Sequence, residues 1–586
     1  MEQAQTILSH RLKGLRQHLA GRTGAFWLDG VLLILLLTLA YFYLRITPEF
    51  AANLPQDAVD FVLPALNLVK RGSLVTTCYG RDMPPIHPLG LPLLLAPSYL
   101  VFGNFPGNGI YSILFCALGT VTTIYIIGRR LCGRMCGCFA ALFLMTHNGF
   151  HGYSQKIMSE VPSAFLLTLI FLWLLHLSGS SRPTWGYYGV GALVGLAIAV
   201  RWDNVLILVP ALALLVQDSW RSSLKRGIYV GVGLLPWVLA LGLYNYVHHG
   251  NPLRTGYGYW RDLGQDTRPV FSFRYATARG YWGSRGYSDE WINQQNGNLL
   301  LLSKTFANQV EMTRTFDQPK SWQSLAGGYT YRALVTARTL LGFVSLVWCI
   351  RWWRKRSPTG LATLWFTSLS FAMMCFYTCY CWQEERFLLR LVPFFCLFNA
   401  MVPAIVLAPI QKWASGYRIT ATLFLFALLG GLICSLTHFS ETYFSASQRD
   451  ISSDDNVDLL RAMRSADNAM ESNAWVVTDF DPFRSGIYLI EGTERTLIQL
   501  SQQSWTPPGA TEHPEQLVDL LRRGRPGYLF LKEPFELKPS PTTELAILSK
   551  LLFLKPLMTL VDDNNRPIGI YLYRFHLRDA LPFFVN

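Results

Sequence analysis

The sequence predicts an α-helical membrane protein that crosses the bilayer many times and carries a small α/β domain at its C-terminus. Only 15% of the 586 residues are charged, whereas ordinary soluble domains carry about 25%. Hydrophobic residues make up 51% of the chain and occur in long blocks that are almost free of charge. Runs of about 18 or more apolar residues are typical of membrane-spanning helices. Composition therefore excludes an ordinary soluble fold.

The net charge of +14 comes from basic residues whose positions indicate the membrane topology. These residues cluster in short loops between apolar blocks, as cytoplasmic loops do in membrane proteins. They include Arg11, Lys13, Arg16 and Arg22; Arg129, Arg130 and Arg134; Arg221, Lys225 and Arg226; Arg351, Arg354, Lys355 and Arg356; Lys412 and Arg418. This distribution argues against nucleic acid as a partner and for the lipid bilayer.

The apolar blocks predict about 11 transmembrane helices within residues 25–438. We place them at about 25–46, 108–128, 136–150, 161–178, 186–200, 205–217, 227–247, 331–350, 359–380, 386–409 and 418–437. Residues 1–24 then form a cytoplasmic segment, and the first helix is an uncleaved signal anchor. The apolar segment Leu89–Phe102 is only about 21 Å long as a helix. We interpret it as re-entrant or interfacial, because one more span would place Arg129–Arg134 outside.

Residues 439–586 have more charge and shorter apolar runs, which indicates a folded extracytoplasmic domain. Trp475–Thr478, Tyr528–Lys532 and Ile568–Phe575 have strand patterns, and Val457–Met470 and Pro514–Arg523 have helical ones. Alternating helices and strands predict an α/β domain. An odd number of spans places it outside.

Carboxylates and guanidiniums lie at the predicted outer ends of the helices. Asp57 and Asp60 lie on a short amphipathic helix after the first span, and Glu160 begins the fourth span. Both Asp57 and Glu160 are also good helix caps, and that alternative stays open. Arg201, Arg386 and Arg390 lie in or beside apolar helices, where arginine is a candidate for a functional site. Such groups suit an anionic lipid substrate and a proton that must be removed.

The arginines allow one further expectation and one alternative. Arg386 and Arg390 are four residues apart, so on an α-helix they share a face. Arg390 could instead extend toward the membrane interface without a functional role.

Cys132, Cys136 and Cys138 lie close together, but no second pair or histidine completes a zinc site. We interpret them as small buried thiols.

Six short motifs, in order over residues 25–410, resemble those of a known superfamily. They are Asp57 with Phe61, Ala65 and Gly72; Pro84-Pro85-Ile86-His87-Pro88-Leu89-Gly90; Ser159-Glu160 with Pro162; Gly191 through Gly195 to Arg201; Gly250-Asn251-Pro252 with Thr255-Gly256-Tyr257; and Glu385-Arg386-Phe387-Leu388-Leu389 with Pro393. The chain thus resembles the GT-C glycosyltransferases that use polyprenyl-phosphate sugars, in the branch of protein O-mannosyltransferases and aminoarabinose transferases. It departs from that pattern at Ala58, where a second acid is common, and at Arg390, where proline is common.

The resemblance implies an inverting transfer of a sugar from a polyprenyl phosphate to an acceptor hydroxyl on a glycan, lipid or protein. Asp57 would be the general base, and Glu160 would be the second catalytic acid. The resemblance also implies a substrate-binding set of Asp60, Lys156, Arg201, Tyr257, Arg386 and Arg390. No cofactor is implied with certainty. A divalent metal is compatible with the superfamily, but the sequence has no convincing metal ligand set.

Two other functions fit the composition. A transporter or lipid flippase often has internal repeats, and none is found here. A non-catalytic membrane assembly protein would use Asp57 and Glu160 only as caps. Convergence of Asp57, Glu160, Arg201 and Arg386 on one outer site would favour the enzyme, and scatter would favour the assembly protein.

Overall fold

A computed structural model of the chain describes most of the predicted membrane domain and the strands of the C-terminal part. The described residues are 27–51, 56–78, 81–178, 185–215, 220–263, 268–285, 287–307, 309–310, 358–382, 384–413, 466, 468–471, 474–478, 496–499, 527–532, 558–561 and 567–575. The predicted helices at 331–350, 418–437 and 514–523 lie outside the described residues, as does most of the one at 457–470.

In the first half of the chain, the described residues form helices and a short hairpin. They are α1 (Trp27–Leu44), α2 (Pro48–Ala51), α3 (Gln56–Arg71), β1 (Thr76–Cys78), β2 (Arg81–Met83), α4 (Gly90–Phe102), α5 (Ile110–Cys132), α6 (Arg134–Met145), α7 (Asn148–Ser154), α8 (Glu160–Leu177), α9 (Gly186–Val200), α10 (Leu208–Leu215) and α11 (Trp220–His249). The amphipathic helix predicted after the first span is therefore present as α3.

A polar segment with short helices follows, and then two long helices. They are α12 (Gly256–Leu263), α13 (Ala278–Gly283), α14 (Asp289–Ile292), α15 (Asn298–Ala307), α16 (Pro358–Thr378) and α17 (Val392–Trp413). Four 3₁₀ helices, Pro106–Gly109, Trp202–Ile207, Phe273–Ala276 and Glu385–Leu391, connect neighbouring elements.

The chain is a multi-pass membrane protein. Within the part of the chain that the structure describes, α1, α5, α8, α11 and α16 are long and apolar enough to cross a membrane. Helices α4, α6 and α9 are apolar but shorter. The predicted helix at 186–200 has the bounds of α9, whereas those at 205–217 and 386–409 each begin with a 3₁₀ turn. The predicted helix at 136–150 ends early, at Met145.

Close packing of α9 against α11 depends on glycine. A Cβ atom at Gly191 would lie 2.0 Å from the Val230 carbonyl oxygen, and one at Gly233 would lie 2.1 Å from the Tyr188 carbonyl oxygen. Small residues let two helices approach this closely, and close van der Waals packing is a main source of helix association in membranes. This contact holds α9, which ends at Arg201, against α11.

The two ends of the helical bundle differ in charge. Near the start of α1, the buried Asp29 binds Arg129 at 2.5 Å and Arg134 at 2.6 Å, at the α5–α6 turn. At the other end of α1, the backbone of Pro48 closely approaches Gly107, just before α5. Helices α1 and α5 are therefore antiparallel, and the chain after α1 lies at the opposite end from Arg129 and Arg134.

In the described residues of the C-terminal part, five strands form a mixed sheet. They are β3 (Trp475–Thr478), β4 (Thr496–Gln499), β5 (Gly527–Lys532), β6 (Met558–Val561) and β7 (Pro567–Phe575), in the order β4-β3-β5-β7-β6. Strand β3 is parallel to β4 and β5, and β7 is antiparallel to β5 and β6. The three predicted strands are confirmed within one residue, and β4 and β6 were not predicted. The domain boundary at 438/439 and the α/β class stay predictions.

Candidate active site

Four charged residues from distant parts of the sequence meet at the end of the bundle opposite the Arg129–Arg134 turn. Asp57 lies in the first turn of α3, and Glu160 is the first residue of α8. Arg201 follows α9, and Arg386 lies in the 3₁₀ helix Glu385–Leu391. Each position is at a helix end, where an apolar segment gives way to a loop.

Asp57 and Arg386 form a direct ion pair. The Arg386 Nη2 atom donates a hydrogen bond of 2.5 Å to Asp57 Oδ2, across 329 residues of sequence. The Asp57 side chain is 39% exposed, and that of Arg386 is 16% exposed. Burial opposes ionisation of Asp57, but positive charge on His87 at low pH, where that ring is protonated, and on Arg386 outweighs it, and the pKa of Asp57 lies below the ordinary value. Asp57 is therefore a partly accessible carboxylate that is ionised at neutral pH.

Glu160 is almost completely buried between two arginines. Its Oε1 atom accepts a 2.8 Å hydrogen bond from Arg201 Nη1 and lies 3.7 Å from Arg386 Nε. Its Oε2 atom has no hydrogen-bond partner among the described residues, although the side chain is only 1% exposed. Buried polar atoms are nearly always paired. Glu160 Oε2 is thus an acceptor that a bound ligand could use.

Arg390 belongs to the same network, but its side chain lies inside the protein and not at the membrane interface. Its guanidinium is only 2% exposed and donates to Asp203 Oδ2 at 2.8 Å and to Asn204 Oδ1 at 2.5 Å. It also donates to the Tyr377 hydroxyl. The alternative that Arg390 extends to the membrane interface is wrong, because the side chain is enclosed by protein.

The expectation that Arg386 and Arg390 share one face is also wrong. Their segment is a 3₁₀ helix, in which residues four apart are rotated by about 120°. Arg386 consequently turns toward Asp57 and Glu160, and Arg390 toward Asp203.

Asp60 lies one turn after Asp57, but other parts of the protein already use its oxygens. Oδ1 accepts from the Thr76 hydroxyl at 3.1 Å, and Oδ2 accepts from the backbone N–H of His87 at 2.9 Å. Burial raises the pKa of Asp60 to about 7, against these hydrogen bonds. Asp60 thus lies in the protein interior, where its hydrogen bond to His87 connects α3 to the loop that contains His87.

Tyr257 and His87 form a half-buried aromatic pair beside Asp57. The Tyr257 hydroxyl lies 2.6 Å from His87 Nδ1, and the His87 ring stacks on Phe61 at a centroid distance of 4.4 Å. Burial lowers the pKa of His87 to about 4, so the imidazole is neutral near pH 7. Tyr257 thus contacts the site region through His87, and its role in binding substrate stays a prediction.

Lys156 lies at the rim of the site. Its side chain is exposed, and the ammonium group lies 5.2 Å from the centre of the Tyr153 ring. Tyr153 itself lies within electrostatic range of Glu160 and Arg386. Lys156 thus lies close to the predicted site, beside Tyr153.

Sequence reasoning missed two acidic members of the network. Asp203 bridges Arg201 and Arg390, with distances of 3.2 Å and 2.8 Å. Glu384 binds the Nε atom of Arg386. The signal was present, because each acid lies two residues from an arginine that had been selected.

The carboxylates do not form a ready metal site. In the part of the chain that the structure describes, no group of three histidine, cysteine, aspartate or glutamate side chains could hold a metal ion. Asp57, Glu160 and Asp203 are each paired with arginine. A divalent metal would have to displace a guanidinium from one of these carboxylates.

Comparison with known proteins gives one family match and a shared fold. The family model of dolichyl-phosphate-mannose-protein mannosyltransferase matches residues 86–243. The crystal structure of ArnT from Cupriavidus metallidurans bound to undecaprenyl phosphate aligns with a TM-score of 0.54 and 10% identity, covering 92% of this chain and 97% of that one. Its apo state aligns with a TM-score of 0.52 and 13% identity, covering 94% and 98%. No curated protein sequence matches this chain.

These matches confirm the resemblance to the GT-C superfamily of polyprenyl-phosphate-dependent glycosyltransferases. The family match includes His87, Glu160 and Arg201 of the site. The structural alignment covers nearly the whole chain and establishes the fold.

Proposed function

We propose that this chain is an integral membrane glycosyltransferase. It moves a sugar from a polyprenyl phosphate to an acceptor hydroxyl on the extracytoplasmic side, with inversion at the anomeric carbon. The observation that carries the proposal is the convergence of Asp57, Glu160, Arg201 and Arg386 in one network. An assembly protein that used these residues only as caps would have no reason to bring them together. The family match and the ArnT fold support the same class of reaction.

Asp57 is the general base of the proposed reaction. It accepts the proton of the acceptor hydroxyl while that oxygen attacks the anomeric carbon. The bond between this carbon and the phosphate oxygen breaks, and the lipid phosphate leaves from the opposite face. One displacement of this kind inverts the configuration. Of the two acids on α3, Asp57 is the accessible one, whereas Asp60 is buried and occupied.

Arg386 couples donor binding to activation of the base. Without donor, Arg386 holds Asp57 in an ion pair and keeps its pKa low. A donor phosphate competes for the same guanidinium, because arginine binds phosphate oxygens bidentately. Once Arg386 turns to the phosphate, burial raises the pKa of Asp57 and makes it a stronger base. The arginine then neutralises the charge that develops on the leaving phosphate.

Glu160 positions Arg201 and a hydroxyl of the substrate for this reaction. One of its oxygens holds Arg201 at 2.8 Å, and the other is available to a hydroxyl of the bound substrate. Arg201 is in turn held by Asp203. Glu160 thus supplies a fixed hydrogen-bond acceptor next to the phosphate-binding arginines.

The proposed side of the membrane follows from the charge at the two ends of the bundle. The basic α5–α6 turn lies opposite the site, and basic loops face the cytoplasm. In a cysteine-free background, we expect Ser288→Cys to react with an impermeant maleimide in intact cells. Ser178→Cys should react only after permeabilisation. The reverse pattern would place the site in the cytoplasm.

The function itself is tested with lipids from a deletion strain. A polyprenyl-phosphate sugar should accumulate and be identified by mass spectrometry. Purified wild-type protein in detergent should convert that lipid to free polyprenyl phosphate when a membrane extract supplies the acceptor. Detergent removes the two membrane sides, so a flippase would convert nothing. An unchanged donor lipid in this assay would contradict the proposal.

A further inference from the structure

Three aromatic rings form an exposed cluster in the polar segment between α12 and α16. Tyr287 and Trp291 stack with a centroid distance of 4.3 Å and an interplanar angle of 18°. Trp282 meets Trp291 edge-on at 4.8 Å and Tyr287 edge-on at 5.4 Å. Tyr287 is 46% exposed, and both tryptophans are partly exposed. We call these three residues the aromatic platform.

Local hydrogen bonds fix the orientation of the platform. The Trp282 indole N–H donates to the Asn296 carbonyl oxygen at 3.1 Å. The Ser288 hydroxyl caps α14 by accepting from the Trp291 backbone N–H at 3.4 Å. The Tyr287 backbone N–H donates to the Trp282 carbonyl oxygen. Rings held in this way lose little freedom when a ligand binds.

The platform is anchored to the chain that leads into the active site. The Arg285 guanidinium lies over the Tyr281 ring at 3.7 Å and donates to the Cys381 carbonyl oxygen. Asn298 donates to the carbonyl oxygens of Tyr377 and Tyr380, at 3.0 Å and 2.7 Å. Cys381 is three residues before Glu384, which binds Arg386. The platform is therefore tied to the end of α16 and to Cys381, on the segment that leads to Glu384 and Arg386.

The surroundings of the platform indicate the class of ligand. The exposed side chains beside it carry hydroxyl, amide and carboxylate groups: Ser288, Asp289, Glu290, Asn293 and Gln294. Membrane-interface belts are also rich in tryptophan and tyrosine, but both signs of charge lie beside these rings, since Asp289 pairs with the exposed Arg279 at 3.8 Å. A mixed set of charged and neutral polar groups suits a sugar better than an anionic headgroup. Flat rings that pack on C–H faces, surrounded by hydrogen-bonding groups, match a carbohydrate.

We infer that the aromatic platform binds the carbohydrate part of the acceptor and presents its hydroxyl to Asp57. This inference rests on the proposed function and narrows the acceptor to a glycan or glycolipid. Sugar rings pack on Tyr287 and Trp291, and their hydroxyls bond to Asp289, Glu290 and Asn293. The donor, in contrast, is held by the arginines.

The first test measures binding without catalysis. Purified full-length protein in nanodiscs is applied to an array of neutral and acidic oligosaccharides. Wild-type protein should bind at least one of them, and Tyr287→Ala and Trp291→Ala should each weaken binding about tenfold or more. Trp220→Ala is the matched control, because Trp220 is 70% exposed on α11 and far from the platform in sequence. Its binding should equal that of wild type.

Two kinds of result would overturn the inference. One is a contradictory binding result, in which wild-type protein binds no oligosaccharide on the array or both platform variants bind as wild type does. The other is that the variants lose association with phosphatidylethanolamine–phosphatidylglycerol vesicles in place of oligosaccharides, which would assign the rings to the membrane surface. Tyr287 is a surface residue, so Tyr287→Ala remains informative if Trp291→Ala does not fold.

A kinetic readout separates this inference from the proposed function. If both hold, the platform variants raise the KM for acceptor about tenfold and leave kcat and the KM for donor unchanged. Transfer activity with an unchanged acceptor KM would refute the platform only. Oligosaccharide binding by a wild-type protein that transfers no sugar would refute the proposed function only.

Discussion

Replacement of Asp57 by asparagine separates catalysis from helix capping at one residue. Asp57→Asn keeps the shape of the side chain and its ability to cap α3, since aspartate and asparagine cap about equally well. The amide cannot accept the proton of an acceptor hydroxyl. A capping role therefore predicts no change in activity, and a role as general base predicts a large loss.

The expected loss in rate exceeds the expected loss in stability. A general base contributes about 10²–10⁴-fold in rate, which corresponds to about 2.7–5.5 kcal/mol of activation free energy. The ion pair with Arg386 contributes far less to folding, on the order of 1 kcal/mol, because the Asp57 side chain is 39% exposed and water screens the pair. Arg386 also retains Glu384 and Glu160. The variant should therefore fold, insert and bind donor.

The assay follows conversion of the polyprenyl-phosphate sugar to polyprenyl phosphate by purified protein, alongside its thermal unfolding. Asp82→Asn is the matched control, because Asp82 is an exposed carboxylate paired with Arg71 at 3.4 Å outside the site. A near wild-type rate for Asp57→Asn would refute the reasoning. If Asp60→Asn were inactive instead, the base would be Asp60. If both variants were active, Glu160 would be the first candidate.

Three further predictions concern the surrounding charges. Arg386→Ala should weaken donor binding more than Arg386→Lys does, because lysine keeps the positive charge but not the bidentate geometry. Arg279→Ala is the control and should leave donor binding unchanged, since Arg279 is 84% exposed. Equal donor affinity in all three variants would remove Arg386 from the phosphate site. Arg390→Met should destabilise the protein by about 1–3 kcal/mol in thermal or denaturant unfolding, because Asn204 and the Tyr377 hydroxyl lose a buried donor while Asp203 keeps Arg201. An unchanged unfolding midpoint would contradict this. The pKa of Asp60 is raised from 3.8 to about 7, so the folded state binds the extra proton and this residue lowers stability as pH rises across that range. The pKa of His87 is lowered from 6.5 to about 4, so its contribution to stability rises between those values and opposes that of Asp60. Relative to wild type, Asp60→Asn should thus gain thermal stability as pH rises from about 4 to about 6.5, and His87→Gln should lose it; parallel curves for all three proteins would refute both pKa shifts.

Local sequence patterns were sufficient for most of the described elements. A membrane span is defined by the apolar character of consecutive residues, so α1, α5, α8, α9, α11 and α16 were predicted near their observed positions. Helix α3 was predicted from its amphipathic spacing, and strands β3, β5 and β7 were predicted from their strand patterns. The 3₁₀ turns before α10 and α17 were not, because hydrophobic spacing distinguishes poorly between a tight first turn and an α-helical one.

The sequence also identified candidate residues one at a time. Charge is costly next to a membrane, so Asp57, Glu160, Arg201 and Arg386 were conspicuous wherever they occurred. The same argument selected Asp60 as well, and only the resemblance to the superfamily favoured Asp57 as the base.

Only the tertiary structure decided what each charge does. Asp57 meets an arginine 329 residues away, whereas Asp60, one turn further along α3, turns to Thr76 and the His87 loop. A helix fixes the direction of a side chain, but its partner comes from whichever distant segment packs there. Because an ion pair depends on distance in space and on burial, no local pattern could distinguish the accessible carboxylate from the buried one.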